Sequence, residues 1–135
     1  MLVDTGPLLA AVNRHDTWHA RIEAWWRANR EPVLVPVTVL PEVCYLIASR
    51  IGASVEVEFV RALTAGDPAV EPLAETDLAR AVQLMETYAD LPLGFVDASI
   101  VAVAERLGIT RVLTTDRRHF SVVRPAHVPR LTLVP

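Results

Sequence analysis

The sequence predicts an α/β protein, a three-layer α/β/α sandwich with a central, mostly parallel sheet. Short β-branched runs alternate with helical segments along the chain, a pattern typical of a parallel sheet that is covered on both faces. Hydrophobic residues make up 52% of the sequence, which argues against a disordered chain. The length of 135 residues matches one domain that buries about two-thirds of its extended surface. We therefore expect residues 1–135 to form a single domain.

The first half of the chain is predicted to contain two strands and four helices. The strands are residues 1–3 and residues 32–37, the second of which is β-branched and bounded by prolines. The helices are residues 8–12 after a turn at 4–7, residues 16–30, a segment capped by Thr38 that runs to Arg50, and residues 53–65.

An apolar stripe marks the second of these helices. Trp18, Ile22 and Trp25 follow one another at spacings of four and three residues, so they share one face of the helix. Trp26 lies about 100° around the helix axis from Trp25. We expect the stripe to belong to the core, whereas an exposed Trp26 would indicate a surface for a partner.

The second half of the chain centres on one helix and the strand that follows it. Asp97 opens an apolar run that Gly108 closes, and a strand at residues 112–115 then ends on Asp116. The other predicted elements are a strand at residues 70–73, a helix from Thr76 or Asp77 to Tyr88, a loop at residues 90–94, and weak strands at residues 122–123 and 131–134.

The basic residues exclude several classes of function. All 13 of them are arginine, and the absence of lysine excludes Walker-type phosphate loops and Schiff-base enzymes. The net charge of −3 excludes a uniformly basic surface for nucleic acid. A polyanion would therefore need local arginines together with bound cations.

Composition also predicts the location of the protein. No run approaches the roughly 18 apolar residues that a membrane span needs, and no basic leader precedes a cleavage site, so we expect a cytoplasmic protein without a membrane anchor. Cys44 is the only cysteine and lies among apolar residues, which predicts a buried structural thiol.

Four acidic residues form the candidate site. Asp4 and Asp116 follow predicted strands, Asp97 begins the central helix, and Glu42 lies in the first turn of another helix. In an open parallel sheet such positions converge outside the carboxyl ends of the strands. Taken singly, Asp4, Asp97 and Asp116 are explained as helix caps, and Glu42 as a charge that complements a helix dipole. Four carboxylates in one crevice, however, would repel one another unless a cation were bound. The hard cations Mg²⁺ and Mn²⁺ fit such a set of oxygen ligands.

The residues beside Asp116 are candidates for binding a substrate phosphate. Thr114 and Thr115 offer hydroxyls that would orient a ligand or a water, although bonds to nearby backbone explain them equally well. Arg117 and Arg118 are candidates to hold the phosphates that flank the scissile one, against the simpler interpretation of two solvated surface arginines.

The four acids lie in the segments LVDTGPLLA, VPVTVLPEVCYLI, FVDASIVAVAERLG and VLTTDRRHF. These segments resemble the PIN-domain ribonucleases, and in particular the VapC-like toxins of bacterial toxin–antitoxin pairs, and the resemblance runs from Met1 to Pro135. It implies an α/β/α sandwich and cleavage of RNA that depends on Mg²⁺ or Mn²⁺. It also implies a homodimer and a small antitoxin that blocks the active site.

By position, the resemblance assigns catalysis and metal binding to Asp4, Glu42, Asp97 and Asp116. The neighbouring Asp90 does not fit the pattern. The sequence therefore predicts a toxin of a VapBC-type pair that hydrolyses phosphodiester bonds of RNA with a metal-activated water.

Three other functions compete with this one. His15 and His19 are spaced like the histidines of the HExxH zinc proteases, but no third ligand follows, so surface histidines are favoured. A phosphoaspartate enzyme or receiver domain also places acids at strand ends, but most of these need a lysine. The third alternative is a PIN-like domain that no longer cuts and only binds RNA or a protein.

Overall fold

Five short strands and six helices make up the computed structural model, which describes residues 1–135. The strands are β1 (Leu2–Val3), β2 (Leu34–Pro36), β3 (Ala69–Glu71), β4 (Arg111–Leu113) and β5 (Thr132–Val134). The helices are α1 (Thr5–Val12), α2 (His19–Ala28), α3 (Val39–Arg50), α4 (Ala53–Leu63), α5 (Glu75–Thr87) and α6 (Phe95–Leu107). None of these helices has the length and apolar character that crossing a membrane requires.

The five strands run parallel in one sheet, in the order β3-β2-β1-β4-β5. The chain moves outward from β1 to β2 and β3 and then returns past β1 to β4 and β5. The direction of winding therefore reverses between β1 and β4. In an open parallel sheet this reversal leaves a crevice at the carboxyl ends of the two strands.

Helices cover both faces of the sheet. α1 packs against α2 and α3, α3 packs against α4, and α5 packs against α6. Right-handed crossovers place α1–α4 and α5–α6 on opposite faces, because the chain crosses the sheet in opposite directions before and after β3. The three-layer α/β/α sandwich that the sequence predicts is confirmed, and all of the strand pairs are parallel.

The central helix α6 runs through the hydrophobic core. Its residues 98–104 are all buried. The helix ends at Gly108, whose φ of 64° is the left-handed conformation that glycine adopts without a steric penalty. The acidic start and the glycine end are as predicted, but the helix begins at Phe95, so that Asp97 lies within its first turn.

Two elements that contribute to the site have different limits from those predicted. α1 begins at Thr5, directly after Asp4, because the Asp4 side chain caps the helix. β4 ends at Leu113 and does not include Thr115. The reason is a local turn, in which the Asp116 N–H donates to the Thr114 hydroxyl at 3.1 Å.

One further prediction about secondary structure is wrong, and another is confirmed only in position. Residues 122–123 form no strand, because their N–H groups donate to the His119 carbonyl in a turn. Thr38 lies at the N-cap position of α3, as predicted, but its side chain makes no capping bond, because its hydroxyl bonds Ser99 Oγ at 2.6 Å. Ser99 Oγ donates to the Val96 carbonyl, so Thr38 is the donor to Ser99. This bond links the start of α3 to α6.

The tryptophan stripe of α2 packs on the core as expected. Ile22 is fully buried, and Trp18, Trp25 and Trp26 are half-buried against the core cluster. Trp26 meets Trp25 edge to face, with ring centroids 5.6 Å apart. Trp26 is thus partly buried by packing on the core and is not fully exposed. Cys44 is half-buried against the same core, with the thiol pKa raised by burial.

An ion pair between the buried Asp77 and the partly exposed Arg106 fixes α6 against α5. The Asp77 carboxylate is 2% exposed and accepts two bonds of 3.0 Å from Arg106 Nε. It also accepts the Ala74 N–H at 2.9 Å, which completes the start of α5. Arg106 in turn donates to Glu71 at 2.9 Å. The network therefore fixes the last turn of α6, the helix whose first turn carries Asp97.

We expect Asp77→Ala to lower the free energy of unfolding by about 3 kcal/mol, because the change removes a buried partner of Arg106. Urea unfolding followed by circular dichroism measures this loss. The control is Glu58→Ala, which removes an exposed ion pair with Arg61 and should cost less than about 0.5 kcal/mol. Equal losses in the two variants would contradict a stabilising role for the Asp77 network.

Candidate active site

A polar pocket of about 240 Å³ opens at the carboxyl ends of β1 and β4. None of its eight lining residues is hydrophobic. They are Asp4, Thr5, Gly6, Glu42, Asp97, Thr115, Asp116 and His119. The structure therefore brings all four predicted acids together, at the point where the winding of the sheet reverses.

Asp4 lies at the floor of the pocket and is 8% exposed. Its backbone N–H continues the β1–β4 pairing by donating to the Leu113 carbonyl at 3.0 Å. Its carboxylate accepts the Thr5 N–H at 2.7 Å and the Thr114 hydroxyl at 2.8 Å. Asp4 therefore caps α1 and joins β1 to the turn after β4.

Burial raises the pKa of Asp4 to about 6. The hydrogen bonds from Thr114 and Thr5 oppose this shift, and the neighbouring acids Asp97 and Glu42 add to it. Asp4 is thus an acid of this pocket whose charged form is strongly disfavoured, mainly because the carboxylate is buried.

Asp97 faces the pocket from the first turn of α6. Its Oδ2 lies 2.5 Å from His119 Nδ1. Burial raises the pKa of Asp97, while the bond to His119 and the charge of that ring act against the rise. His119 thus offsets part of the cost of a buried carboxylate.

Glu42 reaches the pocket from α3 and is the most exposed of the acids. Its Oε2 accepts the Thr5 hydroxyl at 2.5 Å. Thr5 therefore connects two of the acids, because its N–H binds Asp4 while its hydroxyl binds Glu42.

Asp116 lies three residues beyond the end of β4 and forms an ion pair with Arg118. Arg118 Nε lies 2.9 and 3.0 Å from the two carboxylate oxygens. The bond with Arg118 lowers the pKa of Asp116 to about 2. Arg118 is largely exposed, so this pair forms at the mouth of the pocket.

Of the substrate-binding candidates, the structure places some in the pocket and others outside it. Thr115 lines the pocket, and its Oγ1 lies so close to Gly6 that an added Cβ would be 2.0 Å away. Only glycine allows this approach. Thr114 is buried, and its hydroxyl bonds Asp4 and the Asp116 backbone. It therefore stabilises the turn after β4. Arg117 donates to the Pro135 carbonyl at 2.6 Å and does not line the pocket.

Three lining residues were missed by the sequence analysis, namely Thr5, Gly6 and His119. A signal existed for each of them. Thr5 and Gly6 follow Asp4 directly, and His119 belongs to the same segment, VLTTDRRHF, as Asp116. Asp90, which the sequence pattern set aside, is exposed in a turn outside the pocket.

The two histidines that resemble a zinc-protease motif do not form one. α2 begins at His19, so His15 lies in the preceding turn and the pair does not share a helix. His15 is exposed, whereas His19 is half-buried with Nδ1 2.7 Å from the Ala10 carbonyl. His19 therefore has a structural bond, which the expectation of two surface histidines did not foresee.

Most side-chain donor atoms of the pocket are carboxylate and hydroxyl oxygens, which suit a hard cation, and the His119 ring is the exception. As the side chains stand, no three acids or histidines are arranged to hold one metal ion. Each carboxylate instead accepts hydrogen bonds from a neighbouring residue. Side-chain rotation would have to accompany the binding of a metal ion by this set.

We expect Asp4→Asn to stabilise the metal-free protein, and to do so more at pH 7.5 than at pH 4.5. The pKa of Asp4 rises on folding from 3.8 to about 6, so stability is lost as the pH increases through this window. An asparagine removes that loss, which is at most about 3 kcal/mol. The asparagine side chain keeps both contacts of the carboxylate. Its Oδ1 accepts the Thr5 N–H, and its Nδ2–H donates to Thr114 Oγ1, whose own proton then goes to the Asp116 carbonyl.

Urea unfolding in EDTA at the two pH values measures this effect. The control is Asp90→Asn, which changes an exposed aspartate outside the pocket and should have little effect at either pH. A gain for Asp4→Asn that does not depend on pH, or no gain, would contradict the raised pKa.

Comparison with known proteins identifies the family. The PIN domain family profile matches residues 1–124. Ribonuclease VapC26 of Mycobacterium tuberculosis is 31% identical over 135 residues, and the match covers the whole of both chains. The resemblance found in the sequence motifs is thereby confirmed.

Solved structures share the fold. VapC20 of Mycobacterium tuberculosis, a toxin that cleaves the sarcin-ricin loop, has a TM-score of 0.84 and 24% identity, covering 94% of this chain and 97% of its own. VapBC2 from Rickettsia felis, bound to a promoter DNA fragment, has a TM-score of 0.67 and 15% identity, with coverage of 98% and 96%. FitAcB from Neisseria gonorrhoeae has a TM-score of 0.67 and 19% identity, with coverage of 89% and 90%.

Three observations lead to one assignment, namely the pocket where the winding of the parallel sheet reverses, the profile match over residues 1–124 and the full-length relative. This chain belongs to the PIN domain family.

Proposed function

We propose that this protein is an endoribonuclease that depends on Mg²⁺ or Mn²⁺ and is the toxin of a VapBC-type toxin–antitoxin pair. The observation that carries the proposal is the pocket itself, where carboxylates from four separate segments face one polar space of about 240 Å³. The full-length similarity to ribonuclease VapC26 supports RNA as the substrate.

The four carboxylates have the chemistry to hold the metal, and we assign that role to Asp4, Glu42, Asp97 and Asp116. When bound, Mg²⁺ or Mn²⁺ lowers the pKa of a water molecule and offsets the charge that develops on the leaving oxygen. Asp4 has to lose its proton to take part, and its pKa of about 6 allows this near neutral pH.

The remaining residues of the pocket bind and orient the RNA in this proposal. Thr115 Oγ1 is held against Gly6 and has no hydrogen-bond partner within the chain, so its hydroxyl is available to a phosphate oxygen or a water. Arg118 is 81% exposed, so in this proposal its side chain leaves Asp116 for a phosphate that flanks the scissile one. Arg117, whose side chain points to the Pro135 carbonyl, is the weaker candidate for a phosphate contact.

A cognate antitoxin is the proposed protein partner. The similarity in fold to VapBC2 and FitAcB supports such a pair. An arginine of the antitoxin would bind the carboxylates in place of the metal and so block catalysis. The ion pair between Arg118 and Asp116 within this chain is a contact of the same chemical kind and supports this proposal. We also propose a homodimer, on the basis of the family relationship.

We expect purified protein to cleave RNA with Mg²⁺ or Mn²⁺ and to lose this activity in EDTA. Asp97→Asn should lower the rate by about 100-fold or more, because even residues that only support metal ligands commonly cost 10–100-fold. A gel assay on single-stranded and structured RNA measures the rates. Asp90→Asn is the matched control, with the same chemical change outside the pocket, and should keep wild-type activity.

The ends of the products test the mechanism in the same assay. Attack by water does not need the ribose 2′-hydroxyl, so we expect 5′-phosphate and 3′-hydroxyl ends. Cleavage that persists in EDTA or in Asp97→Asn, or cyclic 2′,3′-phosphate ends, would contradict the metal-dependent mechanism. Binding of RNA without any cleavage would favour the alternative of a PIN-like binding module.

A further inference from the structure

The contact between Asp97 and His119 is distinct from the other contacts in the pocket. The two residues are 22 positions apart in the sequence, and Oδ2 of the carboxylate lies 2.5 Å from Nδ1 of the ring. Both side chains are partly buried, with 24% of Asp97 and 28% of His119 exposed. Shielding from water makes this bond more persistent than the exposed pair between Asp116 and Arg118.

The backbone around His119 is held in place independently of the pocket. The His119 carbonyl accepts the N–H groups of Val122 and Val123 at 3.0 Å. The adjacent Phe120 is 2% exposed and Val123 is fully buried, so both anchor this turn in the core. The imidazole therefore projects from a fixed turn, which limits where its Nδ1 can lie.

Asp97 depends on this one donor. Asp4 accepts bonds from Thr5 and Thr114, but the Asp97 carboxylate has no hydrogen-bond partner in the chain other than His119. Nothing else fixes the rotation of the Asp97 carboxylate. With Oδ2 bound to the ring, Oδ1 is the oxygen left free for a ligand.

We propose that His119 is a positioning residue, whose Nδ1–H orients the Asp97 carboxylate so that its other oxygen binds the divalent metal. This inference rests on the proposed metal site. The neutral Nδ1–H tautomer and the protonated ring both donate through Nδ1, so the role needs no change of protonation. Nε2 of the ring is not required for it.

Three variants separate the two nitrogens of the ring. Asparagine places its amide N–H close to the position of Nδ1, glutamine places it close to that of Nε2, and alanine offers neither. We expect His119→Ala and His119→Gln to weaken Mn²⁺ binding by about 10- to 100-fold, and His119→Asn to stay within about threefold of the wild type. Electron paramagnetic resonance of free Mn²⁺ during a titration measures the dissociation constants without reference to catalysis.

The melting temperature of each variant in EDTA controls for folding. Because His119 offsets part of the cost of the buried Asp97 carboxylate, we expect His119→Ala and His119→Gln to melt at a lower temperature than the wild type in EDTA, but to remain folded at the temperature of the Mn²⁺ titration. Rescue by asparagine alone supports the positioning role. Undiminished binding in His119→Ala, rescue by glutamine in place of asparagine, or equal losses in all three variants overturns it. A wild-type protein that binds no Mn²⁺ overturns the proposed metal site and this inference together.

Discussion

The parallel pairing of β1 with β4 is the constraint on which the site depends. It aligns Val3 with Leu113, so that the residues just beyond the two strands, Asp4 and Thr114, meet at the floor of the pocket. The switch in winding direction leaves the space above these residues free of a crossover. Helices α3 and α6 then bring Glu42 and Asp97 to the same space. A different order of strands would disperse the four acids.

Gathering negative charge in one pocket opposes folding, and the chain offsets part of that cost with its own donors. Thr5 and Thr114 donate to Asp4, His119 to Asp97 and Arg118 to Asp116. The result differs from one acid to another. Asp116, beside a cation at the mouth, has a lowered pKa, while the buried Asp4 has a raised one. The hydrogen bonds thus stabilise the fold without a metal, and a bound cation would have to displace some of them.

The sequence contained enough information to predict the fold and the four acids, because strand ends and helix starts are local features. Asp4 after β1 and Asp97 near the start of α6 were predicted from such signals. The contacts of side chains were not predictable in this way. The turn after β4 allows Arg118 to bond Asp116 and His119 to reach Asp97. The sequence predicted two further strand residues, 114 and 115, in place of this turn. The bond between Thr38 and Ser99 was not predictable for the same reason, because the two residues are 61 positions apart in the sequence.

The central claim is that these carboxylates form one cation-binding pocket. The most direct test is a crystal structure of the protein grown with Mn²⁺, with anomalous diffraction data collected at the manganese edge. We expect anomalous density in the pocket within direct ligand distance of carboxylate oxygens from the set Asp4, Glu42, Asp97 and Asp116. Well-ordered carboxylates that keep their present hydrogen bonds, with no anomalous peak in the pocket at millimolar Mn²⁺, would contradict it.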